Sequence, residues 1–338
     1  MSLRFVVARG RRILGAAGAG ALLAFSGPAA AEVDTVRIAE QFGVSYLPLQ
    51  MMREHELMKK HAGEAGLDLE VEWLRFSGGT AMNSALLSGN LDIAAGGVGP
   101  LLIIYDRTKG NVGVKGITAI NSMPLYLNTN NPDVKSIKDF TENDRIALPA
   151  VKVSIQARTL QMAAEKELGQ FDALDDITVS MPHPEGLAAL TSGTEVTGHL
   201  TSPPYQYQEL EDPKVHRVFS SYDVLGGPAT FNTVYAAEAF REDNPTVFGA
   251  FVDALKEAID MINADKAAAA QVYITQTGSK LDPAFVEEIV SNPEIQYTLT
   301  PLNTMKYAEF MHKVGAIKEQ PESWKDYFFP EAHELEGS

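Results

Sequence analysis

The chain has 338 residues, no cysteine, 28 Lys+Arg against 44 Asp+Glu and a formal net charge of −16. The missing cysteine excludes disulfides, thiolate nucleophiles, Cys-ligated zinc and a lipid anchor on an N-terminal cysteine. The acidic balance argues against nucleic acid and anionic membranes as partners. The first 31 residues carry Arg4, Arg9, Arg11 and Arg12 and no acid, followed by an apolar or glycine run from Ile13 to Phe25 and by Ala29-Ala30-Ala31. This pattern predicts an export signal cleaved near Ala31; Arg11-Arg12 fits the twin-arginine pattern only loosely. The apolar run is too short to span a bilayer as a mature helix. Removing the signal takes away four arginines and leaves 24 Lys+Arg against 44 Asp+Glu, a net of −20 over 307 residues. That length is at the upper limit for one hydrophobic core, so two lobes are expected. An exported chain with no anchor suits a Gram-negative periplasm.

From Val33 to Ala39 apolar and polar residues alternate, which predicts a strand; Gln41 to Tyr46 reads as a turn, and Pro48 to His61 has helical apolar spacing. The grammar repeats in Leu69 to Leu74 (strand), Ser77-Gly78-Gly79 (loop) and Thr80 to Leu87 (helix). A third unit follows, with a strand from Leu91 to Ala95, a loop at Gly96-Gly97-Val98-Gly99 and a helix from Pro100. Strands alternating with helices at this pace predict an open α/β sheet with parallel members. Ligands of such sheets lie beyond the strand carboxyl ends, where helix N-termini offer free N–H groups. The glycines are equally what tight strand-to-helix turns need.

A second block begins near Met123. Ile117 to Leu127 is strand-like, Ser136 to Phe140 a short helix and Arg145 to Leu148 a strand. A helix is predicted from Ile155 to Leu168, with Ser154 as N-cap and Gly169 just past its end. Lys152 stands before that helix start, where it adds a charge beside the N–H groups or is simply a solvated surface lysine. Asp176 to Met181 reads as a strand, Pro182-His183-Pro184-Glu185 as a loop, Gly186 to Leu190 as a helix and Val196 to Leu200 as a strand closed by Thr201-Ser202-Pro203-Pro204. After a strand at His216 to Ser220, an extended run from Thr230 to Ala236 leads back, and helices follow, the longest starting at Asn244-Pro245 with an apolar face of Val247, Phe248, Phe251, Leu255, Ile259 and Ile262. Trp324, Phe328 and Phe329 read as core contacts.

This order of pieces resembles the substrate-binding proteins of ABC importers in the nitrate, sulfonate, taurine and thiamine-precursor family, over nearly the whole mature chain. The resembling segments are Tyr46-Leu47-Pro48-Leu49, Phe76-Ser77-Gly78-Gly79 and, most specifically, Ala85-Leu86-Leu87-Ser88-Gly89-Asn90-Leu91-Asp92-Ile93-Ala94. A second-lobe echo runs from Leu187 to Val196, with Glu195 where the family usually has Asp, followed by Pro203-Pro204. The resemblance implies an α/β fold like periplasmic-binding-protein type II: two α/β lobes joined by two crossovers, with a small-molecule ligand caught by hinge closure and an ABC permease in the inner membrane as partner. The crossovers are expected near Asn121 to Leu125 and near Thr230 to Val234. Lobe one is then residues 32–122 plus 233–338 and lobe two residues 123–232, after a signal peptide at 1–31. A monomer is the default.

Closure is expected to bring Ser45, Tyr46, Ser77, Gly78, Gly79, Gly97 and Val98 opposite Lys152, Ser154, His183, Thr201 and Ser202. Backbone N–H groups, hydroxyls and one lysine point first to a small organic anion of sulfonate, nitrate or carboxylate type. The scarcity of arginine in these loops, apart from Arg75 and Arg158, keeps a neutral heterocycle such as a pyrimidine precursor as the alternative. A ligand-sensing module for a membrane receptor would use the same closure. No catalytic residue, cofactor or metal is assigned. Thiamine-pyrimidine synthases, which share the resembling fold, rely on a cysteine-rich motif that this chain lacks. His55 and His61 are six apart rather than the four that places two zinc ligands on one helix face, and there is no Gly-x-Ser-x-Gly elbow.

Overall fold

A computed structural model describes residues 1–2 and 31–338; the predicted export signal falls on 3–30, outside the described residues. Among the described residues ten strands form in chain order: β1 (Thr35–Glu40), β2 (Glu70–Arg75), β3 (Ile93–Gly97), β4 (Val114–Ala119), β5 (Tyr126–Thr129), β6 (Ile146–Leu148), β7 (Thr178–Ser180), β8 (Gly198–Thr201), β9 (His216–Ser220) and β10 (Asn232–Ala237). They make two five-stranded sheets of matching plan, β2-β1-β3-β10-β4 and β7-β6-β8-β5-β9. In the first, β1 runs parallel to β2 and β3 while β10 is antiparallel to β3 and β4. In the second, β6 runs parallel to β7 and β8 while β5 is antiparallel to β8 and β9. The α/β expectation with two sheets therefore holds.

Local chemistry accounts for the elements. In the central strand β3 all five residues, Ile93-Ala-Ala-Gly-Gly, are buried, because small side chains let helices cover both faces of a sheet interior. The helix Ile155–Leu168 begins where Ser154 Oγ accepts the Ala157 N–H at 3.2 Å and ends at Gly169 with φ 77°. The twenty-residue helix Pro245–Ala264 buries Val247, Phe248, Phe251, Leu255, Ile259 and Ile262 on one face. Trp324, Phe328 and Phe329 are core side chains, and a Cβ at Gly116 would stand 2.6 Å from the Phe328 ring, so that strand lies flat against the aromatic segment.

The chain passes between the sheets twice, after β4 and after β9, and the two passages are stitched together. Ile120 N donates to Asn232 O at 3.0 Å and Phe231 N to Asn121 O at 3.2 Å, while Ser122 Oγ donates to Ala229 O at 2.9 Å. The first passage covers the expected Asn121 to Leu125; the second ends at Phe231, so of the expected Thr230 to Val234 the last three residues belong to β10.

Four expectations are corrected. The helix predicted over Pro48 to His61 is two, Leu47–Glu54 and Leu57–Glu64, because Glu56 adopts a left-handed φ of 49° between them. Gly96 and Gly97 belong to β3, pairing with Thr233 and Asn232, rather than to a loop; the antiparallel partner β10 extends the strand beyond its apolar residues. The stretch Ile117 to Leu127 is not one strand but the end of β4, a passage and the start of β5. His183 is the first residue of the helix His183–Ser192 rather than a loop residue, since Pro184 fits a first helical turn.

Candidate functional site

The carboxyl ends of β1 and β3 face those of β6 and β8 across a narrow slit. Gln41, Phe42, Tyr46, Gly79, Gly97 and Pro100 line it from the first lobe, and Pro149, Ser154, Ile155, Gln156 and His183 from the second. Phe231 and Asn232, from the passage into β10, form its back wall. Its volume is about 20 Å³, room for little more than one water. The lobes touch directly where glycine leaves space: a Cβ at Gly43 would stand 2.7 Å from the Pro203 carbonyl oxygen, one at Gly97 2.8 Å from Ile155 Cγ2 and one at Gly78 3.0 Å from the Pro149 carbonyl oxygen. Gly43 also has φ 111°, and the next residue, Val44, donates its N–H to Pro203 O at 3.2 Å.

A second cavity, of about 310 Å³, borders the slit and shares Gln41 and Phe42 with it. Gly43, Arg75, Tyr273, Thr277 and Ser279 line this cavity from the first lobe and Pro184, Leu187, Tyr205 and Gln208 from the second. Arg75 Nη2 donates to Glu40 Oε1 at 2.6 Å and its guanidinium lies 5.7 Å from the Phe42 ring centre. The Tyr205 phenol is pushed up to about 12 by burial, against the opposing pull of Arg75 and a hydrogen bond with Tyr273.

Buried polar groups concentrate around the slit. His183 is 7% exposed and stacks on Tyr205 with ring centres 5.6 Å apart. Its Nε2 faces Gln156 Nε2 at 3.2 Å; its Nδ1 faces Thr201 Oγ1 at 2.9 Å and His199 Nε2 at 3.2 Å. Behind it His199 Nδ1 meets Glu209 Oε1 at 2.5 Å, and Glu209 Oε2 accepts from Asn128 Nδ2 at 2.8 Å. Burial, together with the neighbouring His199, holds the His183 pKa well below its ordinary value, so at neutral pH it presents an uncharged imidazole. Ser45 Oγ, Ser202 Oγ and both polar atoms of the Asn232 side chain are buried, and among the described residues none makes a hydrogen bond of acceptable geometry. Tyr46, 2% exposed, has its phenol raised well above the usual range by burial, with the nearby Asn232 amide pulling slightly the other way.

Of the residues expected from the sequence, Tyr46, Gly79, Gly97, Ser154 and His183 line the slit itself. Ser45, Thr201 and Ser202 are fully buried beside it, Gly78 rests on Pro149, and Val98 donates its N–H to Phe231 O at 3.2 Å. Ser77 is exposed on its loop. Lys152 is turned outward, 62% exposed with Nζ 3.6 Å from Asp175 Oδ2. Residues the sequence reasoning passed over include Gln41, Phe42, Gln156 and Asn232. Gln41 and Phe42 open the turn already singled out, and Asn232 lies in the predicted second crossover, so position in those segments was the available signal. Arg158, a further cation near these loops, donates to Gln161 Oε1 at 2.8 Å and to the Lys152 carbonyl, and its side chain is buried.

No curated protein matches the chain by sequence. Among solved structures, the alkanesulfonate-binding protein SsuA from Xanthomonas axonopodis pv. citri bound to MOPS superposes with a TM-score of 0.70 at 17% identity, covering 89% of this chain and 99% of that one. The periplasmic nitrate-binding protein NrtA from Synechocystis PCC 6803 gives 0.67 at 14% identity, covering 90% and 86%. A Candida albicans protein, the CA3427 gene product, described as having the generic periplasmic binding protein fold, gives 0.67 at 16% identity, covering 88% and 96%. At such identities these likenesses show the fold: two lobes of the periplasmic binding protein type. The family model of the NMT1-like family matches residues 29–275, most of the sequence, and the chain belongs to that family.

Proposed function

We propose that this protein is an extracytoplasmic solute-binding component of an ABC importer, which traps a small organic solute between its lobes and carries no chemical step. The observation that supports it best is the meeting of helix starts and polar atoms from both lobes at one slit that backbone contacts can close. The division of strands between the two sheets supports lobe boundaries of 32–122 with 233–338 and 123–232, with Asn232, the first residue of β10, falling on the other side. The absence of a membrane-spanning helix among the described residues is compatible with that role, and the nitrate and alkanesulfonate binders with the same fold point the same way.

At about 20 Å³ the slit admits a solute only when the lobes part, and the groups it then offers are neutral and polar. Gln41, Gln156 and Asn232 supply amides, Ser154 a hydroxyl and His183 a neutral imidazole, with Phe42, Tyr46 and Phe231 as aromatic walls. No charged side chain lines the slit among the described residues. An anion gripped inside it by Lys152 receives no support from that residue's outward pairing. Capture proceeds by population: the solute touches both lobes only when they close, so it stabilises the closed form, and a permease reads that shape.

A thermal-shift screen of Glu32 to Ser338 against pyrimidines, sulfonates, carboxylates, nitrate and amino acids tests the reading. A ligand at 100 times its dissociation constant stabilises by about 2.7 kcal/mol, a midpoint rise of a few degrees for a chain of this size. One class is expected to raise the midpoint, with the rise lost in Asn232→Ala. A flat response to all classes would remove the binding role, and a pull-down that recovers a receptor instead of a permease would favour sensing.

A further inference from the structure

Building on the solute-binding reading, we infer that the 310 Å³ cavity between the lobes holds an anion subsite centred on Arg75, which takes a carboxylate, sulfonate or phosphate group of the captured solute. The charge balance around Arg75 carries the argument. Its partner Glu40 is 1% exposed, and Glu40 Oε1, which accepts from Arg75 at 2.6 Å, also accepts from Arg53 Nη1 at 3.4 Å. One carboxylate therefore serves two guanidiniums, and the trio keeps one net positive charge. Arg53 is tied down elsewhere: it sits 5.6 Å from the Trp73 ring centre and donates to the Gln276 side chain and carbonyl. The surplus charge is presented by Arg75, whose side chain is 35% exposed and forms part of the cavity wall. Among the described residues Glu40 is its only hydrogen-bond partner, which leaves guanidinium N–H groups for a second oxyanion.

The surroundings suit an anion. No acidic side chain lines the 310 Å³ cavity among the described residues, and its polar lining offers donors in Gln41, Gln208, Ser279 and the Tyr205 phenol. Tyr205 belongs to the second lobe and Arg75 to the first, so an anion between them stabilises the closed form. A chain this acidic repels free anions at long range, which makes a local, partly shielded cation the means of holding one. The cavity's 310 Å³ is room for a small organic anion, and it borders the slit at Gln41 and Phe42.

The test is calorimetric titration of Glu32 to Ser338 with matched probes: orotate against uracil, and benzenesulfonate against benzenesulfonamide, at low and high salt. The anionic member of a pair is expected to bind about tenfold tighter at low salt. Arg75→Gln should abolish that preference while leaving the neutral member within about twofold, Arg75→Lys should keep part of it, and Lys256→Gln, the same charge change on an exposed distant helix, should keep all of it. Arg53 still neutralises Glu40 in the Arg75 variants, and a melting curve of each checks the fold. Neutral members binding as well as anionic ones, or a preference that survives Arg75→Gln, overturns the subsite and leaves the solute-binding reading standing. Failure of every probe to bind overturns the subsite, and the solute-binding reading falls with it only if the thermal-shift screen is flat as well.

Discussion

At the scale of single residues, His183 couples the candidate site to pH. The imidazole faces Gln156, Thr201 and His199, lies on Tyr205 and stands one residue's reach from the Glu209 carboxylate behind His199. Its pKa in the folded chain is held well below the ordinary 6.5 by burial and by His199. The unfolded chain therefore takes up the proton first as pH falls. This contribution to stability is complete above about pH 6.5 and is lost as pH drops from there towards the folded-state value. The window is separable from carboxylate effects, because Glu32, Asp139 and Asp144, whose pKa values are lowered by hydrogen bonds, destabilise the fold only as pH falls below their ordinary values of about 4. Thermal midpoints of the wild type are expected to fall between pH 6.5 and 5, and His183→Gln is expected to flatten that slope. Equal slopes in both proteins would remove His183 as the titrating group.

At the scale of elements, the two passages between sheets behave as one hinge unit because Asn121 clamps three segments. Its Nδ2 donates to the Ser45 carbonyl at 2.6 Å and its Oδ1 accepts from Asn232 N at 3.2 Å. Asn121 is fully buried, so removing the amide strands a carbonyl and an N–H away from water, at about 1–3 kcal/mol for each. Asn121→Ala should therefore lower the unfolding free energy by at least about 2 kcal/mol in urea; a loss under about 0.5 kcal/mol would mean the clamp is not structural. Elements of this kind divide what was legible in advance from what was not. The helix Ile155–Leu168 could be read because Ser154 and Gly169 end it by local chemistry. The crossovers could be read because extended segments interrupt a strand–helix rhythm. Asn232 could be read only through its place in the predicted crossover, and Gln156 not at all, since only the approach of the second lobe brings it to residues 41 and 232. Arg75 was visible as a residue but not as a surplus charge: its role depends on Glu40 being shared with Arg53, a relation between β1, β2 and the first helix.

At the scale of the whole molecule, closure is limited by what fits between the lobes, and Gly97 is the sharpest place to perturb it. The nearest atoms to a Cβ there are Ile155 Cγ2 at 2.8 Å and Ile155 Cβ at 3.1 Å, both from the opposite lobe, with the Phe231 carbonyl at an ordinary 3.5 Å. The backbone is extended, φ −64° and ψ 160°, a conformation valine adopts without strain. Gly97→Val thus meets its main clash only in the closed form, since Ile155 withdraws with its lobe on opening, whereas a core glycine such as Gly116 would clash with Phe328 in either state. The variant should hold the wild-type melting midpoint within a degree or two in the absence of solute, show a larger radius of gyration by small-angle scattering, and bind its solute at least tenfold more weakly. A tenfold loss corresponds to about 1.4 kcal/mol taken from the closed form, well within what one displaced methyl contact can supply. If Gly97→Val instead scatters as the wild type does and keeps its affinity, closure does not bring Ile155 onto β3, and solute capture by lobe closure at this slit has to be abandoned.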